Sequence, residues 1–123
     1  MVSFKSTFFA LALAVVASAS CVASQRGDGW EFYVFEDEDC NYSGTYEEFW
    51  GDAGPIDMLC HNLSENLSAV HSFAYTSDLH TLNVYSERDC DGSLLGHSGG
   101  NWFENSVSSA GSKMKSFQIG LFK

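Results

Sequence analysis

The chain has 123 residues, 16 acidic against 6 basic, and a formal charge of −10. A surface this acidic repels phosphate backbones and anionic lipid, which argues against nucleic-acid binding and against lysis of anionic membranes. Once a leading segment is set aside, about a hundred residues remain, enough for one domain with a modest core.

Met1 to Lys5 carries one positive charge, Phe8 to Val16 is an apolar run, and Ala17-Ser18-Ala19 supplies a small-x-small ending. That order is the pattern of a removable export signal, with cleavage expected after Ala19 and with Ala23 as the competing position. The apolar run is shorter than the roughly 20 residues that span a bilayer, and no later stretch comes closer. The expectation is a secreted, extracellular chain with no membrane insertion. Cleavage after Ala19 keeps Cys21 with Cys40, Cys60 and Cys90, an even set suited to two disulfides in an oxidising compartment. Five cations then face sixteen acids, a balance of −11. Residues 20–29 form a polar lead that contains Arg26-Gly27-Asp28, read as a chance tripeptide in a loose terminal segment.

From Trp30 onward the pattern is β. Trp30 to Phe35 is aromatic and β-branched, Phe73 and Tyr75 alternate with Ser72 and Ala74, and Leu82 to Tyr85 alternates apolar with polar. Phe117, Ile119 and Leu121 share one face. Clusters of Gly, Asn, Asp and Ser separate these runs as turns. Ile56 to Val70 is the best helical stretch and a poor one, so the fold class is all-β. The chain also repeats itself. Phe35 to Cys40 aligns with Tyr85 to Cys90, and Ser68 to Tyr75 aligns with Ser112 to Ile119. Two such copies predict two similar units packed on each other, about 30–78 and about 79–123.

An aromatic-acidic hairpin ending in Gly, followed by a late Ser in an apolar strand and repeated twice, resembles the Greek-key pair of the βγ-crystallin superfamily. The likeness extends to its small secreted microbial and fungal members, including the killer-toxin-like ones. The resemblance implies a sandwich of two Greek-key motifs over 30–123. It also implies that Gly44 and Gly92 take a conformation other residues resist, and that Ser72 and Ser116 cap the folded hairpins by hydrogen bonds. Many members bind calcium through (N/D)-(N/D)-x-x-(S/T)-S. Here the matching stretches are Leu67-Ser68-Ala69-Val70-His71-Ser72 and Gly111-Ser112-Lys113-Met114-Lys115-Ser116. Both lack the acidic or amide pair, and His71 and Lys115 replace a ligating hydroxyl, so family-type calcium binding is not expected. Glu36 to Asp39 and Asp89 to Asp91 read as solvated turn acids.

No C-x-x-C or paired His has zinc spacing. His61, His71, His80 and His97 read as ordinary surface or core residues. Gly96-His97-Ser98-Gly99-Gly100 satisfies G-x-S-x-G, but no histidine follows it and no parallel sheet would carry it, so a Gly/Ser loop is expected. No carboxylate pair stands out for glycoside hydrolysis. Enzymatic activity and cofactors are therefore not expected. Asn41, Asn62 and Asn66 begin N-x-S sequons and are candidate glycosylation sites in a eukaryotic source. Trp50, Trp102 and Phe103 follow the hairpins in loop-like surroundings, and they would either close the core or meet a glycan or protein partner.

Because Cys60 lacks a counterpart in the second copy, Cys40–Cys60 with Cys21–Cys90 is the first-choice pairing among the three that four cysteines allow. These readings converge on a secreted, monomeric, non-enzymatic binding protein, toxin-like or effector-like, with an extracellular protein or glycan as target. An extracellular structural or calcium-binding crystallin-type protein of a wall or spore coat is the alternative. An enzyme inhibitor presenting Gly92 to Gly100 as a rigid loop is a third class.

Overall fold

The computed structural model describes residues 21–22, 28–52 and 59–121, so the expected export signal, Arg26-Gly27, Ile56 to Met58 and Lys123 lie outside it. Eight strands form over these residues: β1 (Trp30–Phe35), β2 (Tyr46–Gly51), β3 (Leu59–Asn62), β4 (Ser72–Thr76), β5 (His80–Glu87), β6 (Asp91–Ser98), β7 (Trp102–Glu104) and β8 (Ser116–Leu121). They make two antiparallel four-stranded sheets in the orders β2-β1-β4-β7 and β3-β8-β5-β6. The fold is an all-β sandwich.

Alternation in β1, β4, β5 and β8 drives the packing, because every second side chain points between the sheets. Phe32 is the hub, with ring centroids 4.8 Å from Phe117, 5.6 Å from Phe73 and 6.0 Å from Tyr75, all edge-on. Leu82, Val84 and Ile119 face it from the second sheet, each at most 2% exposed. Trp102 crosses from β7 to lie over Gly96 of β6, where even a methyl group would overlap the indole. Within the described part of the weak helical stretch near Ile56 to Val70 stands the strand β3, whose four residues pair in register with β8, since a short isolated helix is marginal without such partners.

The repeat is exact in register at its centre. Phe35 stands opposite Ser72, and Tyr85 stands opposite Ser116. His71 donates its amide to Phe35 O, and Lys115 does the same to Tyr85 O, each at 2.9 Å. After each first strand the chain folds back through a 3-10 turn, Glu38–Cys40 or Arg88–Cys90. Both turns hold two consecutive non-glycine residues in the left-handed region: Asp39 and Cys40 at φ 60° and 50°, Asp89 and Cys90 at φ 60° and 56°. Such residues cost roughly 1 kcal/mol or more apiece and persist only where neighbours hold them. The late serines do so. Ser72 Oγ accepts from Cys40 N at 2.8 Å and donates to Asp37 O at 2.6 Å. Ser116 Oγ accepts from Cys90 N at 2.8 Å and donates to Glu87 O at 2.5 Å. The glycines behave differently from each other. Gly92 is left-handed at φ 77°, whereas Gly44 is not among the positive-φ residues, so in the first copy Asp39 and Cys40 alone carry the reversal.

The disulfides correct the expected pairing: they are Cys21–Cys40 and Cys60–Cys90. Pairing within a copy fails because each four-strand unit lends its third strand to the other sheet. β3 lies beside β8, with Cys60 opposite Gln118, and so reaches the second corner rather than the first. The lent strand β7 ends at the first corner, where Asp39 N donates to Asn105 O and Cys21 N donates to Asn105 Oδ1. The Cys60–Cys90 bridge thus ties the second corner to the exchanged strand β3, whereas Cys21–Cys40 ties the first corner to the N-terminal lead, which is itself hydrogen-bonded at the end of β7. The Cys21–Cys40 bridge is buried, while Cys60 is exposed.

Candidate aromatic binding face

The side chains of β1 that do not enter the core, Glu31, Tyr33 and Phe35, point outward, and two of these three are aromatic. In register they form rows: Tyr46 and Phe35; Glu48, Tyr33, Ala74 and Phe103; Trp50, Glu31 and Thr76. Tyr33, Phe35 and Tyr46 lie nearly parallel, with centroids 5.4 Å apart for Phe35–Tyr46 and 6.5 Å for Tyr33–Tyr46. Tyr42, from the turn before β2, stands edge-on to Tyr46 at 5.2 Å and to Phe35 at 5.0 Å. Phe35 is fully buried as the floor, whereas Tyr42, Tyr46 and Trp50 are 59%, 42% and 52% exposed. The Cys21–Cys40 bridge closes the other end of the face by packing with Phe35, Ala74 and Phe103.

Polar groups are set among the rings. Tyr33 donates its hydroxyl to Glu48 Oε2 at 2.9 Å. Burial, then that hydrogen bond, pushes the Tyr33 phenol above its usual range, and burial with the neighbouring Tyr46 raises Tyr42 as well. Both phenols therefore stay protonated as donors across ordinary pH. The face combines electron-rich ring surfaces, phenol donors and carboxylate acceptors.

Of the three aromatics singled out by sequence, two belong here. Trp50 lies on β2 and Phe103 on β7, on this face but at its opposite edges. Trp102 faces inward, edge-on to Phe73 at 4.8 Å, with its indole N–H donated to Glu104 Oε2. All three are strand residues rather than loop residues, because the exchanged β7 and the edge strand β2 extend the sheet beyond the clear alternation. Sequence reasoning passed over Tyr33, Tyr42, Tyr46 and Glu48. Alternation in Trp30 to Phe35 does carry the signal, since Tyr33 and Phe35 fall on the face opposite Phe32 and Val34.

The remaining candidates resolve individually. The stretch Asp91–Ser98 is strand β6, so Gly92 to Gly100 is not a projecting loop, and Ser98 Oγ turns back to Gly100 O at 2.7 Å. Among the turn acids, Glu36 accepts from Ser68 N and Oγ, and those bonds lower its carboxyl below the usual range. Asp37 accepts from Asn41 Nδ2. Among the described residues no three His, Cys, Asp or Glu side chains gather as a metal centre would require. Asn62 is half-buried and exchanges two hydrogen bonds with Asp89, at 2.7 and 3.0 Å, bracing the second corner. Asn41 and Asn66 are exposed. No helix among the described residues is long and apolar enough to cross a membrane. No protein-family model, curated protein or solved structure matches this chain.

Proposed function

We propose that the protein is a secreted, non-enzymatic, toxin-like or effector-like binding protein that recognises a glycan on another cell through the outer face of its first sheet. The observation that carries this reading is the outward row of Tyr42, Tyr46 and Trp50 beside Glu48 and Tyr33. Sugar rings present weakly positive C–H faces that settle on electron-rich aromatic rings, and their hydroxyls pair with carboxylates and phenols. Aromatic side chains also contribute large contact area while losing little rotamer freedom. Two disulfides support an extracellular setting. Exposed Asn66, whose turn does not use its side chain to brace a corner, is the proposed carrier of any N-linked glycan.

The strand order, with each unit lending one strand, and the two serine-capped corners support reading the fold as a βγ-crystallin-like pair of Greek keys. Binding of the oxidised protein to an array of neutral and acidic oligosaccharides is the test. Tyr46→Ala and Trp50→Ala should each weaken the best ligand at least about tenfold while the variants remain folded. A ligand that binds these variants as well as wild type, or an array with no ligand at all, overturns the assignment of this face.

A further inference from the structure

All three lysine and arginine side chains among the described residues, Arg88, Lys113 and Lys115, line one cavity of about 380 Å³. On a chain with sixteen acids, isolated cations would be expected to sit beside carboxylates. Only Arg88 does, with Nη1 4.0 Å from Glu65 Oε2 and 3.1 Å from Leu63 O. The Lys113 and Lys115 ammonium groups make no ion pair or hydrogen bond among the described residues. Their charge is therefore left to the cavity mouth.

The cavity floor is apolar: half-buried Leu67 lines it together with the small part of Leu63, Val70 and Met114 that the core leaves free. Its walls are the segments entering β4 and β8, which are equivalent in the repeat and joined by Val70 N donating to Ser112 O at 3.1 Å. The copies differ at the rim. Where the first has Ala69 and His71, the second has Lys113 and Lys115. Packing does not require that change, since both lysines are exposed.

We propose that this cavity binds a small anionic amphiphile, an acid group held by Lys113, Lys115 and Arg88 with an apolar body seated on Leu67, Leu63, Val70 and Met114. The volume suits a body of up to about a dozen water-sized groups at about 30 Å³ each, within the usual range of small-molecule sites. Glu65 at the mouth, with the acidic surface around it, disfavours a long polyanion and selects a single acid group. The site is separate from the aromatic face and does not depend on its assignment.

Titration of the ¹⁵N-labelled oxidised protein with octanoate and with phenyl phosphate tests the proposal, with 1-octanol and inorganic phosphate as controls. At least one of the two amphiphiles should shift amides in 63–70 and 111–115, and the tighter one identifies the acid group. Lys113→Glu with Lys115→Glu should weaken that binding at least tenfold at unchanged melting temperature, and raising salt from about 0.02 to about 0.2 M should weaken it several-fold, since exposed charges are screened. Equal binding of 1-octanol would show a neutral pocket, and equal binding of inorganic phosphate would show a bare cationic patch. Either result, or no shift with any probe, overturns the proposal.

Discussion

On the outer face of the first sheet, Tyr46, Phe35, Tyr33 and Trp50 occupy the register rows, whereas the second sheet carries Gln118, Asn83 and His97 across one row and Thr81 beside Gly120 in the next. The inner faces differ little: Phe32 answers Leu82, Val34 answers Val84, and Phe73 answers Phe117. Side chains between the sheets must fill one shared core, so the two copies are constrained alike there. Those pointing outward are not, and the divergence between the copies is concentrated where a partner would meet them. The second face is satisfied within itself, as Tyr85 donates to Gln118 Oε1 and His97 pairs with Asn83 Oδ1.

Removing a disulfide should have the largest effect on stability. The bridges close segments of 19 and 30 residues, for which chain entropy gives about 3 to 4 kcal/mol in each case. If the corners are equivalent, Cys21→Ser with Cys40→Ser and Cys60→Ser with Cys90→Ser will lower unfolding free energy by similar amounts in urea titration. Accessibility should separate them: mild reductant will open the exposed Cys60–Cys90 bridge first, read by alkylation and mass spectrometry. Initial labelling of Cys21 and Cys40 instead would refute the asymmetry.

Ser72→Ala and Ser116→Ala come next. Each removes a fully buried hydroxyl with two hydrogen bonds and strands a left-handed amide, at about 2 kcal/mol apiece. Equal losses would support the equivalence of the corners, and a negligible loss at either would break it. Gly96→Ala, which drives a methyl into Trp102, should cost about 1 to 3 kcal/mol through overpacking. Tyr46→Ala, which removes the ring contacts with Phe35 and Tyr42, should cost about 1 kcal/mol, and Trp50→Ala less, while both alter binding.

The smallest effect is on pH dependence. Burial holds the His61 imidazole, stacked on Phe117 at 4.9 Å, below the usual histidine value of 6.5. The unfolded chain then protonates first, so this group's contribution is complete above about pH 6.5 and declines as pH falls below it. Glu36 has the same sign in a lower window, because the unfolded chain takes up its proton near the usual value of 4.5 while the Ser68 hydrogen bonds keep the folded carboxyl charged to lower pH. Urea midpoints measured from pH 7 to pH 3 should therefore fall in two stages, and a His61 NMR titration midpoint above 6.5 would contradict the first.

Legibility in the sequence followed position in the sheet. The strands β1, β4, β5 and β8 lie inside their sheets and are rich in apolar residues that enter the core, so they could be read. The edge strands could not: β2 carries Tyr46, Phe49 and Trp50 on both faces, β6 is rich in Gly and Ser, and β7 has three residues. The serine caps were legible only as what the family resemblance implied, the repeat itself showing no more than that Ser72 and Ser116 occupy equivalent positions. Strand exchange is invisible to a local pattern, and with it went the disulfide pairing, since the repeat assigns Cys60 to the wrong corner. Trp50 and Phe103 stood out as aromatics in sequence, but their common face with Tyr33 and Tyr46 exists only once register is set.

The lent strands also bear on how such a chain can be divided. Half of it, carrying a single copy, would present a three-stranded sheet with an unpaired edge and a third strand with nothing to join. Two separate halves could complete the sandwich only by each inserting its strand into the other. The smallest self-sufficient unit of this architecture is therefore a pair, and in this protein the partner is supplied by the same polypeptide.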